Sequence, residues 1–164
     1  YELHDHLERE QQLKDNIAKV KADGAQLIVV IFHWGNETET VPDSNQTTLG
    51  RIAIDEGADL VCGHHPHVLQ GIEYTEDGPI VYSLGDFWFN DETKYTGLLN
   101  LEITSEGLKQ MSFTPCEQKD SQTQYLNNAE SQRALFDHLQ EISPNITIDD
   151  TGVITELKDI DAES

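Results

Sequence analysis

The chain has 164 residues, with 31 acidic side chains against 10 basic ones and a formal net charge of −21. It has the size of one ordinary domain with a core, and a field that gathers cations. That balance argues against nucleic acid or an anionic membrane surface as a partner, and no segment approaches the apolar length of a membrane span.

Taken in order, the sequence from Leu3 to Lys21 is charged and helix-permissive, with Leu13, Ile17 and Val20 forming a single apolar stripe. His4 and His6 on that helix point in different directions and read as surface residues. The chain opens on Tyr1, not on methionine, and is expected to be part of a longer protein whose targeting signals lie upstream. Asp23-Gly24 ends the helix. Leu27 to Phe32 follows as a β-branched run of the kind that a strand covered on both faces requires. It leads into His33-Trp34-Gly35, a polar loop from Asn36 to Asn45, and a second helix with Leu49, Ile52 and Ala53 inward, ended by Gly57.

A second apolar strand, Leu60-Val61-Cys62, then runs into Gly63-His64-His65-Pro66-His67. Strand, helix, strand with short links predicts a βαβ unit with parallel neighbours. Both histidine motifs then emerge at the C-terminal ends of adjacent strands, where α/β proteins place their sites. An extended backbone would aim His65 and His67 the same way, with His64 on the other side. Neutral imidazole suits zinc, manganese, iron and nickel alike, so His33, His65 and His67 are candidate metal ligands without a choice of metal. His64 is the candidate general acid.

Downstream, Gly71–Thr75 and Ile80–Ser83 flank the turn Glu76-Asp77-Gly78-Pro79, and Leu99, Leu101 and Ile103 alternate with polar residues before a turn into Leu108–Thr114. The second pair reads as an antiparallel hairpin with one wet face. Beyond Pro115 the composition changes. Residues 118–164 are expected to form a separate unit: a polar loop within Glu117–Asn128, a helix over Ser131–Ile142 with Leu135, Leu139 and Ile142 inward, a small hairpin around Asp150-Thr151-Gly152, and an acidic tail from Asp159. Cys62 and Cys116 lie outside any Cys-x-x-Cys pair and read as buried thiols.

Val30-Ile31-Phe32-His33-Trp34-Gly35 with Glu37, Gly57-Ala58-Asp59-Leu60-Val61, Gly63 to Gln70, and Tyr82 to Phe87, in that order, resemble the CapA-type poly-γ-glutamate capsule-synthesis family. That family lies within the calcineurin-like metallophosphoesterase superfamily. The resemblance implies the C-terminal half of a four-layer α/β/β/α sandwich over residues 1–117, a βαβ unit followed by antiparallel hairpins. It implies a two-metal site in which His33, His65 and His67 are ligands and Glu37, Gln70 and Asp86 support them. Gly63 precedes His64, so His64 and His65 remain alternatives for the first histidine of the pair, and the spacing to His67 favours His65. Relatives usually carry an aromatic residue where Thr38 stands and asparagine where Asp86 stands. A carboxylate accepts hydrogen bonds but does not donate as an amide does.

The superfamily's Asp-x-His, Gly-Asp and Gly-Asn-His blocks have no counterpart before His33. About half of a dinuclear site is therefore expected here, with divalent ions (manganese, zinc or iron) in the intact protein and none or one in this chain. By resemblance the protein works at the outer face of a bacterial membrane, on capsule polymer or another anionic substrate. Its partners would be the N-terminal half of the same protein or a second copy. The alternative is a non-catalytic surface protein that binds or exports the polymer and keeps a vestigial metal pocket.

Overall fold

A computed structural model describes residues 2–158, with side chains from residue 7 onward. The orientations of His4 and His6 and the acidic run from Asp159 to Ser164 lie outside that description. The architecture is α/β, built on two sheets. Helix α1 (Glu2–Ala22) leads into strand β1 (Val29–His33), helix α2 (Ser44–Asp55), and strands β2 (Leu60–His64), β3 (Leu69–Tyr74) and β4 (Pro79–Leu84). These strands form the first sheet in the order β1-β2-β4-β3. As the sequence pattern predicts, β1 and β2 are parallel neighbours; their register sets Val29 opposite Leu60 and His33 opposite His64. β3 and β4 close an antiparallel hairpin through the Glu76–Pro79 turn.

The second sheet follows. β5 (Lys94–Thr104) and β6 (Gly107–Lys119) form a long hairpin, β7 (Gln122–Tyr125) returns along β6, and α3 (Ala129–Glu141) leads to β8 (Ile146–Ile148) and β9 (Val153–Glu156). The order is β5-β6-β9-β8, with β7 also paired to β6. The stretch expected to be a polar loop is therefore largely strand. Asp120 and Ser121 both take positive φ, 51° and 59°, the conformation of a two-residue hairpin turn that matches strand twist, here without the glycine that usually marks it. The hairpin expected around Asp150-Thr151-Gly152 forms as β8 and β9.

Two apolar clusters hold these elements. Ile17 of α1, Ala53 and Ile54 of α2, and Val61, Ile80 and Tyr82 bury one face of the first sheet, together with Trp34. On the other face Leu60, Leu69, Ile72 and Val81 meet Met111, Phe113 and Ile154 of the second sheet and Leu135, Phe136 and Leu139 of α3. Residues after 117 thus contribute to the same core. Val20, expected in the inward stripe of α1, is exposed; Leu13 and Ile17 make the apolar contact with the core, and Lys21, next to Val20, reaches the carbonyl of Glu56 at 2.8 Å.

β1 departs from its expectation. It is an edge strand, and Ile31 is 69% and Val29 39% exposed. Val30 and Phe32 pack on the helical side, while Val29 and Ile31, in register with Leu60 and Cys62 of β2, lie beyond the reach of the second sheet. Cys62 and Cys116 are free thiols, each pushed up in pKa by burial. Among the described residues, no helix is long and apolar enough to cross a membrane.

Candidate metal centre

The parallel register does more than bring two motifs near each other. Setting His33 opposite His64 at the ends of β1 and β2 places their Nδ1 atoms 3.2 Å apart, with ring centroids at 4.7 Å and planes nearly perpendicular. His33 also lies 4.3 Å from the ring of His65, and His65 lies 5.7 Å from that of His67. The four imidazoles form one continuous cluster.

Two details of the sequence reading are corrected. The backbone does not stay extended through the motif: β2 ends at His64, and His65 and His67 take positive φ, 102° and 60°. Their convergence comes from left-handed backbone around Pro66, at a cost on the order of 1–3 kcal/mol each that the surroundings must hold. Nor does His64 face away, because strand pairing puts it on the side of His33.

His67 is held from behind. Its Nδ1 lies 2.6 Å from Oδ1 of Asp86, a carboxylate only 7% exposed, whose Oδ2 accepts from Lys94 Nζ at 3.1 Å. Glu92 first and then Asp86 hold the Lys94 ammonium above its ordinary range. A carboxylate acceptor makes Nδ1 of His67 the protonated nitrogen and leaves a lone pair at Nε2, the usual way a metal-ligating histidine is oriented. Lys94 balances the charge that Asp86 carries and asparagine would not. Sequence offered no signal for Lys94, a lone cation brought to Asp86 by the start of β5. Phe89 covers His67 from the side, with ring centroids 4.4 Å apart.

Glu37 rides on the loop after β1, which is tied to the histidine loop by Thr38 N–H donating to Pro66 O at 2.8 Å. Gln70, fully buried, donates to the carbonyl of Glu39 at 2.8 Å and accepts from Gln46 Nε2 at 2.8 Å. Gln46 also completes the capping box of α2 with Asp43. It was missed as a supporting residue, although the spacing Asp43-x-x-Gln46 is a legible helix-start signal. Gly35, at φ 78°, makes room for it: a Cβ there would lie 2.6 Å from Gln46 Oε1. The result is that Glu37, His65 and His67 bring ligand atoms within 4.8 Å of one another.

Burial, and then the neighbouring His33 and His65 imidazoles, hold His64 below its ordinary value of 6.5. The unfolded chain then takes up a proton at a higher pH than the folded one, so the metal-free fold loses stability as pH falls below 6.5. Calorimetric melting across that window is expected to show the decline, and His64→Gln to flatten it. An NMR titration of His64 with its midpoint at or above that value would remove the effect.

The fold and the cluster can be set beside known proteins. The chain is 38% identical over 98 residues to the capsule biosynthesis protein CapA of Bacillus anthracis, covering 58% of this chain and 24% of that protein. It is 38% identical over 96 residues to the PGA biosynthesis protein CapA of Bacillus subtilis (strain 168), 57% of this chain and 25% of that one. It is 49% identical over 57 residues to the uncharacterized protein y4sH of Sinorhizobium fredii, 35% of this chain and 12% of the relative. The chain thus spans about a quarter of the length of the two CapA proteins. The family model described as bacterial capsule synthesis protein PGA_cap matches residues 1–91, a range that holds His33, Glu37, the histidine loop, Gln70 and Asp86. With more than half its length and its whole histidine cluster inside that match, the chain belongs to the PGA_cap family of bacterial capsule synthesis proteins.

Proposed function

We propose that this chain is the histidine-bearing part of a divalent-cation-dependent, phosphoesterase-like hydrolase that serves poly-γ-glutamate capsule biosynthesis at the bacterial cell surface. The similarity to a capsule biosynthesis protein and a PGA biosynthesis protein of Bacillus supports the capsule setting. The observation that carries the chemistry is the convergence of His33, His64, His65 and His67 at the ends of parallel strands, with Asp86 behind His67.

The donor set fits a divalent cation. In a neutral pair that shares one Nδ1 proton, the donor ring keeps a lone pair at Nε2 and the acceptor ring an N–H there. His33 and His64, whose Nδ1 atoms meet at 3.2 Å, therefore offer one ligand nitrogen and one hydrogen-bond donor. On this reading His33, His65 and His67 hold cations, and His64, kept neutral by its lowered pKa, donates a hydrogen bond from Nε2–H to the leaving oxygen. Gln70 fixes the Glu37 loop against the histidines, and Asp86 holds the proton at Nδ1 of His67. A bound cation supplies Lewis acidity and neutralises charge on the reacting phosphoryl group.

The remaining ligands of a two-ion site are assigned to the part of the relatives' length that this chain does not span. In the proposed four-layer α/β/β/α sandwich the N-terminal half of that domain adds to the open edge of β1 and covers Val29 and Ile31; a second copy is the other candidate to cover them. The test is hydrolysis of bis-(p-nitrophenyl) phosphate by the full-length protein with and without Mn²⁺. Turnover that appears with the ion and disappears on chelation is the expected result. Cation binding without turnover would favour a non-catalytic polymer-binding protein.

A further inference from the structure

We propose that Glu37 is itself a ligand, and that Glu37, His65 and His67 make a one-cation site complete within this chain, for a transition-series divalent ion such as Zn²⁺ or Mn²⁺. The proposal rests on the metal-dependent reading above and deepens it, since there Glu37 only supports the histidines.

Ligand atoms around one ion with bonds of about 2.1 Å lie roughly 3–4 Å apart. The carboxylate of Glu37 and the ring nitrogens of His65 and His67 already lie within 4.8 Å of one another, so closing on an ion takes side-chain rotations only. The two loops that carry them are joined between the ligands, by Thr38 N–H on Pro66 O, so the backbone distance is set before any ion arrives. Gln70, reaching Glu39 O from a fully buried position, ties the Glu37 loop on its far side.

The protonation pattern points the same way. Asp86 keeps the proton of His67 on Nδ1, away from a cation at Nε2. Among the described residues nothing donates a hydrogen bond to the Glu37 carboxylate or to the His65 ring, although ligand atoms of the two lie within 4.8 Å. A carboxylate and the ring nitrogens of two imidazoles thus gather at one place, on a chain of formal charge −21. Two nitrogens and one carboxylate oxygen are a donor set that zinc, manganese and iron accept. His33 is engaged with His64 instead and belongs to a second ion position.

The experiment is titration calorimetry of the metal-free 164-residue chain with ZnCl₂. One ion per chain is expected for the parent. Glu37→Gln is expected to weaken binding by at least about tenfold to a hundredfold. Glu39→Gln removes the same charge from the same exposed loop and is expected to change affinity less than about threefold, the scale of a screened surface charge. Histidine ¹⁵N shifts report the second readout: Zn²⁺ should move Nε2 of His67 in the parent. Equal losses in the two variants would reduce the effect to net charge and overturn the assignment, and so would a parent that binds no ion. Cation-dependent hydrolysis by the longer protein that survives Glu37→Gln overturns this inference and leaves the hydrolase reading standing. Glu37-dependent binding without hydrolysis does the reverse.

Discussion

Replacing His67 by alanine is expected to abolish cation-dependent hydrolysis by the longer protein and also to lower the stability of the metal-free chain by about 1–3 kcal/mol. The first effect follows from losing a ligand. The second follows from what stands behind it: Asp86 is 7% exposed and would keep only Lys94, while alanine at φ 60° inherits a left-handed backbone that histidine tolerates better. A histidine in an isolated loop would contribute almost no stability. Chemical denaturation measures the loss, and the rise in melting temperature on adding Zn²⁺ separates the two roles, being present in the parent and absent in the variant. A variant that gains as much from Zn²⁺ as the parent would take His67 out of the site.

The largest structural effect is expected at Gly63. An added Cβ would lie 2.1 Å from Trp34 Nε1 and 2.2 Å from the carbonyl oxygen of Tyr82, the two atoms joined by a 2.9 Å hydrogen bond through the middle of the fold. Gly63→Ala must break that bond and push either a backbone carbonyl of β4 or an indole stacked on Phe32 at 4.4 Å. The expected cost is about 3 kcal/mol or more, a large share of a domain's stability, which is on the order of 5–15 kcal/mol. Because Gly63 directly precedes His64, the histidine pair at the ends of β1 and β2 is expected to lose its geometry too. A melting temperature within a few degrees of the parent's would show that the strands absorb the methyl group and that the close approach carries little.

Local order and long-range contacts in this chain rest on different physics. Local sequence carried the strand-helix-strand order, because β-branched runs such as Leu27–Phe32, the apolar spacing of α2 and the glycine stops act within a few residues of themselves. Parallel pairing of β1 and β2 followed, since a short crossover helix permits little else. That was enough to bring His33 to the histidine loop. It was not enough to say how they meet. The left-handed turns at His65 and His67 have no glycine to announce them, and alternation along a strand says nothing once the strand has ended at His64. The turn at Asp120-Ser121, also without glycine, hid β7 for the same reason.

By itself the sequence determined the α/β class, the parallel unit, the histidine cluster and the family, because these depend on residue types at short spacings. Tertiary structure alone decided that β1 is an edge with Ile31 exposed, that His64 pairs with His33, that Lys94 balances Asp86 and that Gln46 and Gln70 hold the Glu37 loop. Each of these joins residues from different elements through strand register or a buried side chain. Such contacts are set by how faces pack, and no period in the chain encodes them.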